Sequence, residues 1–134
     1  MDVEMMTSIL VTGSRDWPSV GILNTVICEF PMGHINDNES VTLINGGAHG
    51  VDQMAQKYWR DNNVGNVITA YPDWHLHGKR AGIVRNVDMI NMDPDYVLAF
   101  IYNTSKGSTF TLNESLRRGL KTYAFRLDSS IIKE

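Results

Sequence analysis

The stretch Asn45-Gly46-Gly47-Ala48-His49-Gly50-Val51-Asp52 follows an apolar run, Val41 to Ile44, and opens straight into an amphipathic helix. Val51, Met54, Ala55, Tyr58 and Trp59 recur there at i, i+3, i+4, i+7 and i+8, the spacing of one helical face. A strand that turns into a helix through glycines is the repeating unit of an alternating α/β chain. The same turn is an anion cradle in principle, because glycine lets the backbone come close and the first helical turn offers unpaired N–H groups and a favourable dipole. Thr12-Gly13-Ser14-Arg15 ends the run Ser8 to Val11, and Ser105-Lys106-Gly107-Ser108-Thr109 follows the run Tyr96 to Tyr102. Three such turns at strand ends point to a nucleotide-like ligand.

The rest of the pattern agrees. Pro18 suits an early helical position, and Ile22, Leu23, Val26, Ile27 and Phe30 repeat at helical spacing until Pro31 and Gly33, with a polar loop expected from Gly33 to Ser40. Asn62 to Gly65 breaks the second helix, Val67 to Tyr71 predicts a third strand ended by Pro72, and Asp73 to Gly78 reads as a loop. A third helix is predicted over Ala81 to Met92, with Val84, Val87 and Ile90 inward and Arg85 and Met89 on its other face. Thr109 to Arg118 predicts a helix capped by Gly119, Thr122 to Phe125 a fifth strand, and the end from about 127 a peripheral tail. Strands alternating with helices predict a Rossmann-like three-layer α/β/α sandwich with a mostly parallel sheet, one domain with its core at residues 8–126. In such sheets a ligand sits beyond the carboxyl ends of the strands, where the Gly13, Gly46 and Gly107 turns would converge.

Composition narrows the partners. With 134 residues, 43% hydrophobic, the chain has material for one packed core, and its formal charge of -3 with scattered Lys and Arg disfavours nonspecific binding of nucleic acid. The single cysteine, Cys28, reads as a small buried hydrophobe and cannot form a disulfide within the chain. Met1 to Thr7 lacks a basic, apolar leader and no apolar run has bilayer length, so a soluble, cytoplasmic protein is expected. His75 and His77 alone do not make a metal site, and neither a metal nor a cofactor is expected.

Taken together, Gly13-Ser14-Arg15-Asp16-Trp17, Gly46 to Asp52, Tyr71-Pro72-Asp73-Trp74 with Gly78, Ala81-Gly82 with Arg85-Asn86 and Met89, and Leu98-Ala99-Phe100 before Gly107-Ser108-Thr109 resemble the YspA-like branch of the SLOG superfamily. That superfamily has a Rossmann-like fold and includes the LOG nucleotide phosphoribohydrolases, often labelled lysine decarboxylases, and the DNA-processing protein DprA. The resemblance implies a site for a nucleotide or nucleotide-derived ligand, commonly in a homodimer. LOG enzymes use the Arg of an Arg-Lys-x-x-Met motif and the Glu of a Pro-Gly-Gly-x-Gly-Thr-x-x-Glu motif. Arg85-Asn86-Val87-Asp88-Met89 matches the first apart from Asn86, which gives Arg85 a phosphate or leaving-group role. The second is degraded: Gly107-Ser108-Thr109 keeps its centre, but Thr111 or Leu112 stands where the Glu belongs.

Glu114 is the acid of that helix, and it either substitutes for the missing Glu or forms a surface pair with Arg117 and Arg118. Arg15 grips phosphate or pairs with Asp16; Asp52 caps N–H groups or accepts from ribose hydroxyls; Trp74 stacks on a base, seals an edge or meets a partner subunit. Lys79-Arg80 touches phosphate or faces water, and Trp17 and Trp59 are core or interface. The expected ligand-binding set is Gly13, Ser14, Arg15, Gly46, Gly47, Ala48, Gly50, Asp52, Trp74, Arg85, Asn86, Gly107, Ser108 and Thr109, with Arg85 and Glu114 as candidate catalytic residues. Binding of a nucleoside monophosphate, ADP-ribose-like molecule or nucleotide sugar ranks first. Phosphoribohydrolase activity of the LOG type is the alternative, and single-stranded DNA binding of the DprA kind ranks third.

Overall fold

A computed structural model describes residues 6–36 and 40–129. The N-terminal leader reading at 1–5, the middle of the expected polar loop at 37–39 and the tail from 130 lie outside the described residues. Among the described residues five strands form one all-parallel sheet: β1 (Met6–Gly13), β2 (Ser40–Asn45), β3 (Val67–Thr69), β4 (Tyr96–Tyr102) and β5 (Lys121–Leu127), in the order β3-β2-β1-β4-β5. Five α-helices alternate with them: α1 (Val20–His34), α2 (Val51–Asp61), α3 (Trp74–His77), α4 (Ala81–Asn91) and α5 (Lys106–Arg117). This is the α/β sandwich that the strand and helix periods predicted.

The layers follow from the pleat. Alternate residues of a strand face opposite sides, so Ile9 and Val11 turn toward α1 and α2 while Leu10 between them meets Met89 and Ile90 of α4. Ile9 pairs in register with Leu43, Val11 with Leu98 and Phe100 with Phe125, which extends each apolar layer across the sheet. Trp17 packs edge-on to Phe100 at 5.4 Å, and its indole N–H donates to the Ser19 carbonyl at 2.7 Å. Trp59 is equally buried and donates to the Val41 carbonyl. Both rings are core, and their polar atoms are satisfied. Among the described residues no helix is long and apolar enough to cross a membrane.

Several boundaries move. Pro18 precedes α1, which starts after Ser19, whose Oγ accepts from the Ile22 N–H at 3.0 Å as an N-cap. Pro31 does not stop that helix. In the last turn it removes only the bond to one carbonyl, while buried Phe30 with His34 stacked on it at 4.1 Å holds the turn closed. Cys28 is exposed, not buried: about 100° per residue separates it from the inward stripe of Leu23, Ile27 and Phe30. The expected loop at Asp73–Gly78 is α3 followed by a 3₁₀ turn at Gly78–Arg80, because the Asp73 carboxylate accepts from the Leu76 N–H at 2.9 Å.

α4 is rotated from its expected setting, burying Ala81, Asn86, Met89 and Ile90 and leaving Val84 and Val87 half-exposed. β3 is shorter than predicted and β1 longer. α5 begins at Lys106 rather than Thr109, so Gly107 and Ser108 belong to its first turn, and Gly119 at φ 78° provides the left-handed exit.

Candidate functional site

The strand order reverses between β1 and β4, and the loops leaving the two strands there splay apart. A hollow of about 210 Å³ opens at that point, walled by the turn after β1, the loop after β2, the start of α5 and the exposed side of α4. Arg15, Asp52, Trp74, Arg85, Asn86 and Ser108 all line it, which brings five segments of the sequence to one place. Gly13, Ala48 and Gly107 line it too.

The glycine loop after β2 does a different job from the one its sequence suggests. The Asp52 Oδ2 accepts from the N–H groups of Gly46 at 3.1 Å and Ala48 at 3.2 Å, and the Asn45 carbonyl oxygen Oδ1 takes the N–H of Gly47 at 2.8 Å. Those donors are therefore occupied by the protein's own side chains. Asn45 is held in turn by Gln56 and Thr69, a half-buried network with no sequence signature because its members are joined only by folding. Gly46, Gly47 and Gly50 permit close approach of this chain to itself rather than facing the hollow. A side chain at Gly46 would overlap the Arg85 guanidinium, one at Gly47 the Tyr71 ring, and one at Gly50 the carbonyls of Ser14 and Arg15.

Ser14 is also structural. Its hydroxyl accepts from the Tyr102 N–H at 2.9 Å and its carbonyl takes the Val51 N–H at 3.3 Å, which pins the end of β1 to β4 and α2. Thr109 lies one turn deeper in α5, its N–H donating to the Ser105 carbonyl, and is not part of the wall. Glu114 is not brought to the hollow. Its carboxylate is held by Arg117 at 2.6 Å and Arg118 at 3.1 Å, the surface pairing its spacing allowed, and the Arg117 guanidinium draws its pKa down to about 2. Thr111 and Leu112, the two positions where the motif would carry Glu, are both buried, and the Thr111 hydroxyl donates to the Gly107 carbonyl.

What does face the hollow is positive. The Arg85 Nη1 donates to the carbonyls of Gly46 and Ala70, and its Nε donates to the Asn86 Oδ1 at 2.8 Å. These neutral acceptors orient the guanidinium without cancelling its charge, and burial lowers its pKa. Lys79 and Arg15 share the wall. Among the described residues no acid stands within ion-pair distance of Arg15, Lys79 or Arg85. Arg15 does not pair with Asp16. Ser105, at the N-cap of α5, makes no side-chain cap bond, so the first-turn N–H groups near Gly107 and Ser108 add partial positive charge.

Among the described residues Asp52 is the one acid in the wall. Burial raises its pKa to about 6, against the pull of the Ala48 and Gly46 N–H groups and the charges of Arg85 and Arg15, and its second oxygen, Oδ1, is buried without a partner. His75 and His77 are exposed on α3, and among the described residues no group of three or more His, Cys, Asp or Glu is placed to hold a metal.

Comparison with known proteins follows the same segments. The family model YAcAr, described as the YspA, cpYpsA-related SLOG family, matches residues 7–77, which run from β1 through α3 and include the loops after β1 and β2. Gene 61 protein of Mycobacterium phage D29 is 29% identical over 125 residues, covering 90% of this chain and 97% of that protein. No solved structure gives a match. The family match spans more than half of the chain and carries Arg15, Asp52 and Trp74 within it, and this chain belongs to the YspA, cpYpsA-related SLOG family.

Proposed function

We propose that the chain binds a nucleotide-derived ligand in the hollow at the β1–β4 switch point, with its phosphate between Arg85, Arg15 and the start of α5. The observation that carries this reading is an excess of positive charge in one concave place. Arg15, Lys79 and Arg85 face Asp52 alone there, in a chain whose formal net charge is -3. A guanidinium whose Nε and Nη1 are held by neutral acceptors keeps its charge and its Nη2 donors for an anion, and the N-terminus of α5 stands beside it. Membership of the SLOG family supports a nucleotide-related ligand. Binding ranks above hydrolysis because the acid that the LOG motif supplies is replaced by Thr111 or Leu112, both buried, and Glu114 is held by two arginines outside the hollow.

Thermal shift and calorimetry with nucleoside 5'-monophosphates, ADP-ribose and cyclic nucleotides test the reading. At least one is expected to bind, and Arg85→Ala is expected to weaken it roughly 10- to 150-fold, the loss of a charge-assisted hydrogen bond. No binding by any of them, or an Arg85→Ala variant that binds like wild type, discards it. Chromatography for released base during the same incubations separates binding from cleavage.

A further inference from the structure

Trp74 is unlike the other tryptophans of this chain. Trp17 and Trp59 are 3% and 1% exposed with their N–H groups bonded, whereas Trp74 is 55% exposed. Yet one edge of it is packed. The Asp73 cap anchors α3, and the far edge of the indole lies over Gly82, where an added Cβ would stand 3.9 Å from it. An exposed indole with no ring partner among the described residues is an apolar surface left facing water at the mouth of a charged hollow.

The wall changes character from floor to rim. Thr12, Asp52, Asn86 and Ser108, which can read hydrogen-bond patterns, are each 7% exposed or less and lie at the floor. Trp74 and Ile83, 55% and 47% exposed, belong to the rim. A volume of about 210 Å³ is below the roughly 300–1,000 Å³ that encloses a whole drug-sized ligand, so a phosphorylated sugar fills it and a larger attached group remains at the mouth.

We propose that Trp74, with Ile83 beside it, is a stacking shelf for the base of the bound nucleotide, and that it takes the base by its face without reading its edge. The proposal rests on the nucleotide reading above and adds a specificity to it. Purines, with more ring to stack, bind better than pyrimidines; adenine and guanine bind alike, because no amide or carboxylate on the rim distinguishes their edges. Lys79 is a point charge that serves either.

Tryptophan emission reports on this directly, since the other two indoles are buried. Calorimetric titrations use AMP, GMP, CMP, UMP and ribose 5-phosphate on wild type and on Trp74→Ala, which lacks the reporter indole, with emission followed on wild type alone. AMP and GMP are expected to change the emission and to bind within about threefold of each other, and to bind about 5- to 150-fold more tightly than ribose 5-phosphate, the range of base–aromatic stacking. Trp74→Ala is expected to bring AMP down to the affinity of ribose 5-phosphate and to leave ribose 5-phosphate itself unchanged, which also shows that the variant is folded. If AMP binds in an Arg85-dependent way but Trp74→Ala does not weaken it, the shelf is wrong and the nucleotide reading stands. A preference above about tenfold between AMP and GMP overturns the face-only reading. If no nucleotide and no ribose 5-phosphate binds folded wild-type protein, both fall together.

Discussion

Asp52 shows how one side chain serves the fold and strains it at once. Its Oδ2 orders the loop after β2 through two N–H groups, while Oδ1 is buried unpaired and the carboxyl pKa stands at about 6 instead of 3.8. A raised carboxyl pKa means that the folded chain binds more protons than the unfolded chain between about pH 4 and pH 6. Stability therefore falls as pH rises through that window and is level above it. A shift of this size corresponds to on the order of 3 kcal/mol. Asp52→Asn keeps an acceptor for the Gly46 and Ala48 N–H groups and removes the charge. The variant is expected to be more stable than wild type at pH 7.5 by on the order of 1–3 kcal/mol, with the difference vanishing toward pH 4. Urea denaturation of both proteins across that range checks it, and a pH-independent difference would contradict the assigned cause.

At the scale of elements, what was legible in the sequence was whatever an apolar period marks. The interiors of the strands, the inward face of α2 and the glycine exit of α5 are all visible as spacing, and so is the chain order that brings Arg15, Arg85 and Ser108 to one sheet edge. The start of α5 was not, since Lys106 to Thr109 contains no apolar residue and its helical state is set by Ser105 adopting the extended cap geometry. Nor was the real use of the Gly46–Gly50 loop, because Asn45, Gln56 and Thr69 are distant in sequence and meet only when β2 and β3 pair. The earlier start of α5 bears on Glu114, whose carboxylate lies among Arg117 and Arg118 and outside the hollow. Glu114→Gln is expected to leave ligand affinity and any release of base unchanged, with little movement of the melting temperature, since exposed pairs contribute little. A loss of affinity equal to that of Arg85→Ala would return Glu114 to the site.

For the whole molecule, the sheet order and the placement of charge make proton binding and ligand binding one equilibrium. The chain runs outward from β1 to β2 and β3 and then crosses back past β1 to β4, which leaves a cleft between β1 and β4, and the fold sets Asp52 close enough to Arg85 and Arg15 that both charges help keep its carboxyl ionised. A phosphate taken up by those guanidiniums adds negative charge and offsets the positive field that Asp52 relies on. The carboxyl pKa then rises further above about 6, so the complex binds protons that the free protein releases. Affinity is expected to increase as pH falls from about 8 to about 6, by at most about tenfold per pH unit. The measurement is cleanest with a cyclic nucleotide or ADP-ribose, which lack the second ionisation near pH 6 of a phosphate monoester. Calorimetry in two buffers of different ionisation enthalpy should show uptake of a fraction of a proton per site near pH 7, and Asp52→Asn should abolish it. Proton release instead of uptake would place the anion away from Arg85 and Arg15, whatever its affinity.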